Sequence, residues 1–386
     1  MGASGDGRRR AVRFIVLLGV VSLLADITYE GARSISGPYL GMLGAGAAVV
    51  AAVAGAGELI GYALRLASGY LADRTRSYWT LTLAGYAVNL LAVPALALAG
   101  RWEVAAALMI TERLGKAIRT PARDVLLADA AKAVGTGWGF GLHEAMDQIG
   151  ALAGPLIVAG VIASMGSYRA GFAILLIPAV AALAVLTAAR HRHSRPDLPR
   201  DGRPAKAAAR LPRVFWLYVA ATAMIAAGYA DFPLIAFHLK SVGAASDVTI
   251  PLLYALAMGV DAVAALVFGR LYDRFGRLVV IGAPAFAAAA APLVFSRSLP
   301  GAAAGMVLWG VGMGSQESVL RAAVADMAPE GRRGAAYGVF NGVFGVAWFA
   351  GSAAMGLLYQ SSPMALVVFS IAAQTGAVPF LVMSRK

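Results

Sequence analysis

The chain has 386 residues, of which 60% are hydrophobic and 14% charged, and its mean hydropathy is +0.72. This composition excludes an ordinary soluble globular protein and indicates a chain whose solvent is a lipid bilayer. The formal net charge of +13 does not predict a nucleic-acid partner, because the cations cluster in short segments between apolar runs. The absence of cysteine from the sequence excludes disulfides, thiolate catalysis and cysteine metal sites.

Apolar runs of about 20 residues recur along the whole chain, and each is long enough as an α-helix to cross about 30 Å of hydrocarbon. Their abundant Gly and Ala suit helices that pack closely, whereas a β-barrel would show shorter alternating segments. We therefore predict an all-α polytopic membrane protein with about twelve spans. They cover residues 12–37, 46–71, 78–99, 103–130, 136–164, 168–189, 213–239, 250–271, 278–296, 301–326, 334–359 and 364–384.

The first span follows three arginines, residues 8–10, and this order superficially resembles a secretory signal. The run nevertheless passes through Asp26 and Glu30 without a small-residue cleavage site, and many spans follow it. We therefore expect the first helix to remain in the mature protein.

Lys and Arg crowd the loops on one side of the predicted helices, and the opposite loops carry little beyond Arg101, Arg169, Lys240 and Arg297. The positive-inside rule then predicts that both termini and the central linker face the cytoplasm. The basic set comprises residues 8–10, Arg74, Arg76, Lys132, the segment 190–213, the segment 270–277, Arg332, Arg333, Arg385 and Lys386.

A polar, basic, proline-containing segment divides the spans into six and six, which is typical of a linker. We predict an N-terminal six-helix half at residues 1–189, a cytoplasmic linker at 190–212 and a C-terminal half at 213–386. The linker could also contact anionic headgroups. His191 and His193 within it lack a further ligand at a suitable spacing, so a solvated linker is favoured over a metal site.

The two halves repeat each other. The residues Gly69-Tyr-Leu-Ala-Asp73-Arg74 match Gly269-Arg-Leu-Tyr-Asp273-Arg274 located 200 residues later. A second repeat is a pair of glycines with the same separation in the fifth and eleventh spans, namely Gly141 with Gly154 and Gly338 with Gly351. Duplicated six-helix halves are a recurrent transporter architecture, with cargo bound between them near the bilayer midplane.

The Gly-x-Leu-x-Asp-Arg motif resembles the signature loop of the major facilitator superfamily. More narrowly, residues 112–124 (ERLGKAIRTPARD) and 141–150 (GLHEAMDQIG) resemble a bacterial, exporter-like subgroup of that superfamily. The resemblance implies a rocker-switch transporter, often proton-coupled, whose loop motif helps to close the cytoplasmic side. The expected gate residues are Gly69, Asp73, Arg74, Arg123, Gly269, Asp273 and Arg274.

The chemistry of these residue types agrees with a gate. Glycine permits close helix approach, aspartate can accept hydrogen bonds at a helix N-terminus, and arginine can pair with acids. The loops end differently, with Arg76 after the first motif and Arg277 after the second. The acids that pair with the arginines of the two motifs are therefore not identified from the sequence. The alternative is that these residues are topological cations and turn residues.

Ionisable residues inside predicted spans mark candidate transport sites, because charge at membrane depth is costly. Asp26, Glu30 and Arg33 share one helix face, so we take Asp26 and Glu30 as proton-coupling candidates. The alternative is an ion pair with Arg33 near the helix end. In the fifth span Asp147, which His143 can reach, and Glu144 form a second candidate pair.

Further charged residues are candidates for the substrate cavity. The fourth span has a largely cationic stripe of Glu112, Lys116, Arg119 and Arg123, in which Arg119 suits either an anionic cargo group or the gate. The alternative for each is a structural role. The cavity candidates are Arg33, Glu58, Arg65, Arg119, Asp231, Asp261, Glu317 and Arg321.

These patterns predict a secondary active transporter of a bacterial inner membrane, monomeric, without cofactors, and acting on a small molecule and protons. No phosphate-binding P-loop is present in the sequence, which disfavours ATP-driven transport. By analogy with the exporter-like subgroup we expect proton-coupled efflux of a small organic or amphipathic compound. Alternatives are a carrier of an anionic metabolite in uptake or exchange, a transport-inactive sensor or accessory protein, and a membrane enzyme, which the duplicated motif disfavours.

Overall fold

The computed structural model describes residues 5–192, 211–328 and 333–384. These residues form fourteen α-helices and two 3-10 helices, and no strand occurs among them. The 3-10 helices are Leu96–Leu98 and Gly276–Gly282. The α-helices are α1 (Gly5–Met42), α2 (Ala47–Thr75), α3 (Tyr78–Ala95), α4 (Trp102–Ala131), α5 (Thr136–Met165), α6 (Tyr168–Ile174), α7 (Leu176–Arg192), α8 (Arg213–Ala227), α9 (Phe232–Ser241), α10 (Thr249–Phe275), α11 (Ala283–Val294), α12 (Leu299–Met327), α13 (Arg333–Ser361) and α14 (Pro363–Met383).

The helices follow the predicted spans, which confirms the all-α prediction. The sixth predicted span contains α6 and α7, and the seventh contains α8 and α9. Nine helical segments in the described part of the chain are long and apolar enough to cross a membrane. The segment α4 is not one of them, because its middle carries the charges of the predicted cationic stripe.

The chain forms two compact units. One contains residues 1–33 and 64–202, and the other contains residues 34–63 and 203–386. The division therefore falls within α1 and within α2 rather than only at the linker. The halves 1–189 and 213–386 and the linker 190–212 stay predictions, and linker residues 193–210, with Arg332, Arg385 and Lys386, lie outside the described residues.

In the first unit, glycines bring α5 against α1. A Cβ atom at Gly154 would overlap the carbonyl oxygen of Ile27 and lie 2.8 Å from the Gly31 nitrogen. A Cβ atom at Gly150 would meet Leu23 and lie 2.9 Å from the Asp26 Cβ. Small residues four positions apart thus allow backbone contact, as in other close helix pairs of membrane proteins.

The helices α3 and α4 pack in the same way. A Cβ atom at Gly85 would lie 2.8 Å from the Gly115 carbonyl oxygen and 2.7 Å from the Arg119 Cβ. This close crossing holds the polar residues of α4 against the buried side of α3, where Asn89 and Tyr86 lie.

The second unit contains an equivalent glycine contact. A Cβ atom at Gly351 on α13 would overlap the backbone of Ala227 at the end of α8. Ala227 is 200 residues after Ile27, and Gly351 is the repeat partner of Gly154. The glycine repeat therefore corresponds to equivalent helix contacts, α5 with α1 in the first unit and α13 with α8 in the second.

The seventh span is interrupted at residues 228–231, between α8 and α9. Neighbouring side chains satisfy the carbonyl groups freed there. Ser370 donates to the Gly228 oxygen at 2.6 Å, Gln374 donates to the Ile225 oxygen at 2.9 Å, and the Trp309 indole donates to the Ala230 oxygen at 2.9 Å. A broken helix is tolerated at membrane depth only with such replacement partners. This interruption was not predicted from the sequence.

Candidate functional site

Charged side chains from α1, α4 and α5 lie together inside the first unit. Asp26 and Glu30 are 5% and 8% exposed, and Arg119 on α4 is 1% exposed. Asp26 interacts electrostatically with Asp147 of α5 and Lys116 of α4. The structure therefore gathers residues that are distant in sequence into one buried, mixed-charge cluster.

Two tyrosine rings contact the cations of this cluster. The Lys116 Nζ lies 3.7 Å from the centre of the Tyr29 ring. The Arg119 guanidinium carbon lies 4.1 Å from the centre of the Tyr86 ring and 6.0 Å from that of Tyr29. Such contacts attract a cation to the negative face of the ring, most strongly where water is excluded.

The Arg119 guanidinium is incompletely hydrogen-bonded. Its Nε and Nη1 atoms are buried and have no hydrogen-bond partner in the described structure. An aromatic face compensates the charge of a guanidinium but does not replace the directional acceptors that its N–H groups require. Arg119 is therefore the member of the cluster best suited to receive a further acceptor.

Arg123, in contrast, has several partners. Its Nη1 donates to the Ser22 Oγ at 3.0 Å, and its Nε and Nη2 donate to Asp124 Oδ1 at 3.0 and 2.8 Å. This arginine ties α4 to α1 within the first unit. Its assignment to a cytoplasmic gate stays a prediction.

The two acids predicted on α5 lie in different surroundings. Asp147 pairs with His143, with 3.5 Å between its Oδ2 and the histidine Nδ1, and its Oδ1 is buried. The predicted reach from His143 to Asp147 is therefore observed. Glu144 is exposed.

Glu112 of α4 is bound by side chains of α3 and α4. Its Oε1 accepts from the Asn89 amide at 2.7 Å, and its Oε2 lies 3.2 Å from the Arg113 Nε. These contacts join α3 to α4 next to the Gly85–Gly115 crossing. The carboxylate is thus neutralised and hydrogen-bonded, which suits a structural acid.

Asp231 is the best-defined buried acid of the second unit. It lies at the interruption before α9 and is 1% exposed. Its Oδ2 accepts from the Trp348 indole at 3.0 Å and from the Ser352 hydroxyl at 2.7 Å. The Tyr229 ring packs beside it, 5.4 and 5.6 Å from the rings of Trp309 and Trp348.

The other cavity candidates fall into three groups. Asp261 on α10 is 3% exposed, and its Oδ1 would lie 2.9 Å from a Cβ atom at Gly314 of α12. Half-buried candidates are Arg33, Glu58 and Arg65, and exposed candidates are Glu317 and Arg321. Glu58 belongs to the second unit and Arg65 to the first.

The repeated loop motif differs between the units. A Cβ atom at Gly69 would lie 3.6 Å from Pro121, but one at Gly269 would meet no described residue within 4 Å. The gate role of both glycines stays a prediction. Asp73 accepts a hydrogen bond at 3.5 Å from the hydroxyl of Tyr78, the first residue of α3.

The remaining gate candidates are exposed. Arg74, Asp273 and Arg274 all have exposed side chains. The Arg274 guanidinium carbon lies 5.2 Å from the ring centre of Phe275. The gate assignment of these residues stays a prediction.

Several polar and aromatic members of these sites were missed by the sequence analysis, namely Tyr29, Tyr86, Asn89 and Trp348. Tyr29 had an available signal, because it lies three residues after Asp26 and 200 residues before Tyr229. The two tyrosines contact equivalent helices. Tyr29 contacts Lys116 of α4, and the Tyr229 hydroxyl donates to the carbonyl oxygen of Trp309 on α12.

A helical, apolar fold with repeated internal packing and buried charged side chains defines an integral membrane transporter. The chain belongs to the Major Facilitator Superfamily, whose family model matches residues 13–352.

Relatives and a solved structure agree with this family. The chain is 44% identical to an uncharacterized protein of Mycobacterium tuberculosis, over 96% of this chain and 95% of that protein. It is 25% identical to an uncharacterized MFS-type transporter of Methanocaldococcus jannaschii, over 93% and 92% of the two chains. The crystal structure of the nucleoside transporter NupG aligns with a TM-score of 0.78 at 11% identity, covering 97% of this chain and 100% of that one, which shows the shared fold.

Proposed function

We propose that this transporter works by alternating access and couples proton entry to the efflux of a small organic or amphipathic compound. The observation that carries the proposal is the buried cluster in which Asp26, Glu30 and Asp147 lie among Lys116 and Arg119. The efflux direction rests on the resemblance of residues 112–124 and 141–150 to exporter-like transporters.

A proton carrier must bind a proton while it faces one side of the membrane and release it while it faces the other. A buried carboxyl can do so when its charged neighbours change with conformation, because both burial and nearby charges alter its proton affinity. Asp26 has one neighbour of each charge, because it interacts with the cation Lys116 and with the acid Asp147. Coupling then requires only that the distances within this cluster differ between the two conformations.

We place the protein in a bacterial inner membrane as a monomer with both termini in the cytoplasm. The support for this topology is the concentration of Lys and Arg in alternate loops. Both predicted halves lie in one chain, so a monomer contains the complete repeat. The gate residues of the two loop motifs would close the cytoplasmic side.

The proposal is tested with purified protein in proteoliposomes carrying an imposed pH gradient. A thermal-shift screen of drugs, organic anions and metal complexes first supplies a ligand, because a bound ligand stabilises the folded protein by mass action. We expect a stabilising compound to be transported faster with the gradient than without it. Counterflow without any response to the gradient would contradict proton coupling, and absence of counterflow would favour a sensor or accessory protein.

A carrier of an anionic metabolite, in uptake or exchange, is the second candidate. It is favoured by one observation, the buried Arg119 guanidinium, whose Nε and Nη1 have no acceptor among the residues that the structure describes. Guanidinium groups bind carboxylates and phosphates through paired, parallel hydrogen bonds. The two candidates differ in the charge of the cargo and in whether cargo and proton compete or bind together.

A further inference from the structure

Lys116 and Arg119 lie one turn apart on α4, and both contact the Tyr29 ring. Arg119 also packs on Tyr86 of α3 at 4.1 Å. The rings hold both cations, and the Arg119 Nε and Nη1 have no hydrogen-bond partner in the described structure. The two cations and the two rings therefore form a preorganised cationic group in which N–H donors of Arg119 remain available to a ligand.

Burying a guanidinium without acceptors costs free energy that other contacts must offset. The cost here is not removed by a local acceptor, because the Arg119 Nε and Nη1 have no partner in the described structure. Structural arginines in the same helix look different. Arg123 bonds Asp124 and Ser22, and Arg113 pairs with Glu112.

We propose that Lys116 and Arg119, flanked by Tyr29 and Tyr86, form the binding site for one carboxylate or phosphate group of the cargo. This inference rests on the second candidate function and names the chemical group that the site recognises. The oxygens of such a group would accept hydrogen bonds from the Arg119 fork and the Lys116 ammonium.

The acids around this site determine when an anion can bind. Asp26 and Glu30 on α1 and Asp147 on α5 act on the two cations, and while these three acids are ionised they neutralise them. Protonation of these acids lowers the negative charge around the two cations and so favours an incoming anion. The groups that face the site are Asp26, Tyr29 and Glu30 on α1, Tyr86 on α3, Glu112, Arg113 and Arg123 on α4, and His143 and Asp147 on α5.

Glu112 is held by Asn89 and Arg113, and Arg123 is held by Asp124. Asp147 pairs with His143 and also acts on Lys116 and Arg119. Asp26 and Glu30 act on Lys116, and the exchanged proton is assigned to these three acids. Anion and proton bind together at this site, which corresponds to cotransport and not to exchange.

The test measures binding of benzoate and phenyl phosphate to the full chain in nanodiscs, with neutral benzamide as the matched probe. We expect either anion to bind and benzamide not to bind. Arg119→Gln should weaken anion binding about tenfold or more, because each tenfold corresponds to the loss of one strong hydrogen bond. Arg101→Gln is the control, since Arg101 is exposed and pairs with Glu103 at the start of the same helix.

A second readout tests proton uptake. Anion affinity should rise as the pH falls from about 8 to about 6, by up to about tenfold per pH unit for one linked proton. Titration calorimetry in buffers of different ionisation enthalpy counts that proton directly. Arg119→Lys keeps the charge without the planar fork, so it should bind more weakly than the wild type even if Arg119→Gln fails to fold.

Three results would overturn the inference: no binding of either anion, equal binding of benzamide, or unchanged affinity in both Arg119 variants. Preference for benzoate would identify a carboxylate site, and preference for phenyl phosphate a phosphate site. Anion binding is measured without a pH gradient, so a negative result contradicts only the anion site. Proton-coupled efflux, the first candidate function, is tested separately by gradient-driven flux.

Discussion

Gly154 of α5 lies so close to Ile27 of α1 that a Cβ atom at position 154 would overlap the Ile27 carbonyl oxygen. Gly154→Ala must therefore push the two helices apart, and we expect a loss of about 1–3 kcal/mol of stability, as for other overpacked sites. The measurement is the midpoint of thermal unfolding in detergent. Gly160→Ala on the same helix is the matched control, because a Cβ atom there would meet no described residue within 4 Å. Equal effects of the two substitutions would contradict the close crossing.

Asp26→Asn and Asp147→Asn should each abolish gradient-driven transport while preserving exchange of cargo across the membrane. The amide has nearly the shape of the carboxylic acid but cannot release a proton, so it uncouples cargo movement from the gradient. Flux and counterflow in the same proteoliposomes separate the two activities. Glu103→Gln, which removes an exposed acid paired with Arg101, provides the control. Full gradient-driven activity in both aspartate variants would exclude these residues as proton carriers.

Trp348→Phe should destabilise the protein more than Trp309→Phe. Both indoles donate a buried hydrogen bond, but Trp348 donates to the Asp231 carboxylate and Trp309 to the Ala230 carbonyl. Bonds to a charged group contribute about 1.5–3 kcal/mol, and bonds between neutral groups about 0.5–1.5 kcal/mol. Thermal midpoints of the two variants test the order. A larger loss at Trp309 would show that the Asp231 carboxyl is not the stronger acceptor.

The topology can be tested with single cysteines, because the natural sequence has none. Ser194→Cys in the basic linker should react with a membrane-impermeant maleimide only after the cells are permeabilised. Ser246→Cys, at an exposed position between α9 and α10, should react in intact cells. The reverse pattern would place the basic loops outside and contradict the positive-inside assignment.

The sequence predicted the fold because each span carries its own signal. A run of about 20 apolar residues is long enough to cross the bilayer whatever its neighbours are, and the repeated motif at residues 69–74 and 269–274 marks the internal duplication. The interruption at residues 228–231 was missed, because it depends on Ser370, Gln374 and Trp309, which come from helices far along the chain.

The sequence alone also determined which charged residues are costly at membrane depth, and it placed Asp26, Glu30, Asp147 and Arg119 among the candidates. Helix periodicity shows which side chains share a face of one helix, but it carries no information about which helix lies opposite. Only the tertiary structure separated the half-buried Asp147, whose Oδ1 is buried, from the exposed Glu144, three residues before it. It also showed that Glu112 is hydrogen-bonded by Asn89 and that the Arg119 Nε and Nη1 have no acceptor in the described part of the chain, because hydrogen-bond satisfaction depends on groups that meet in space.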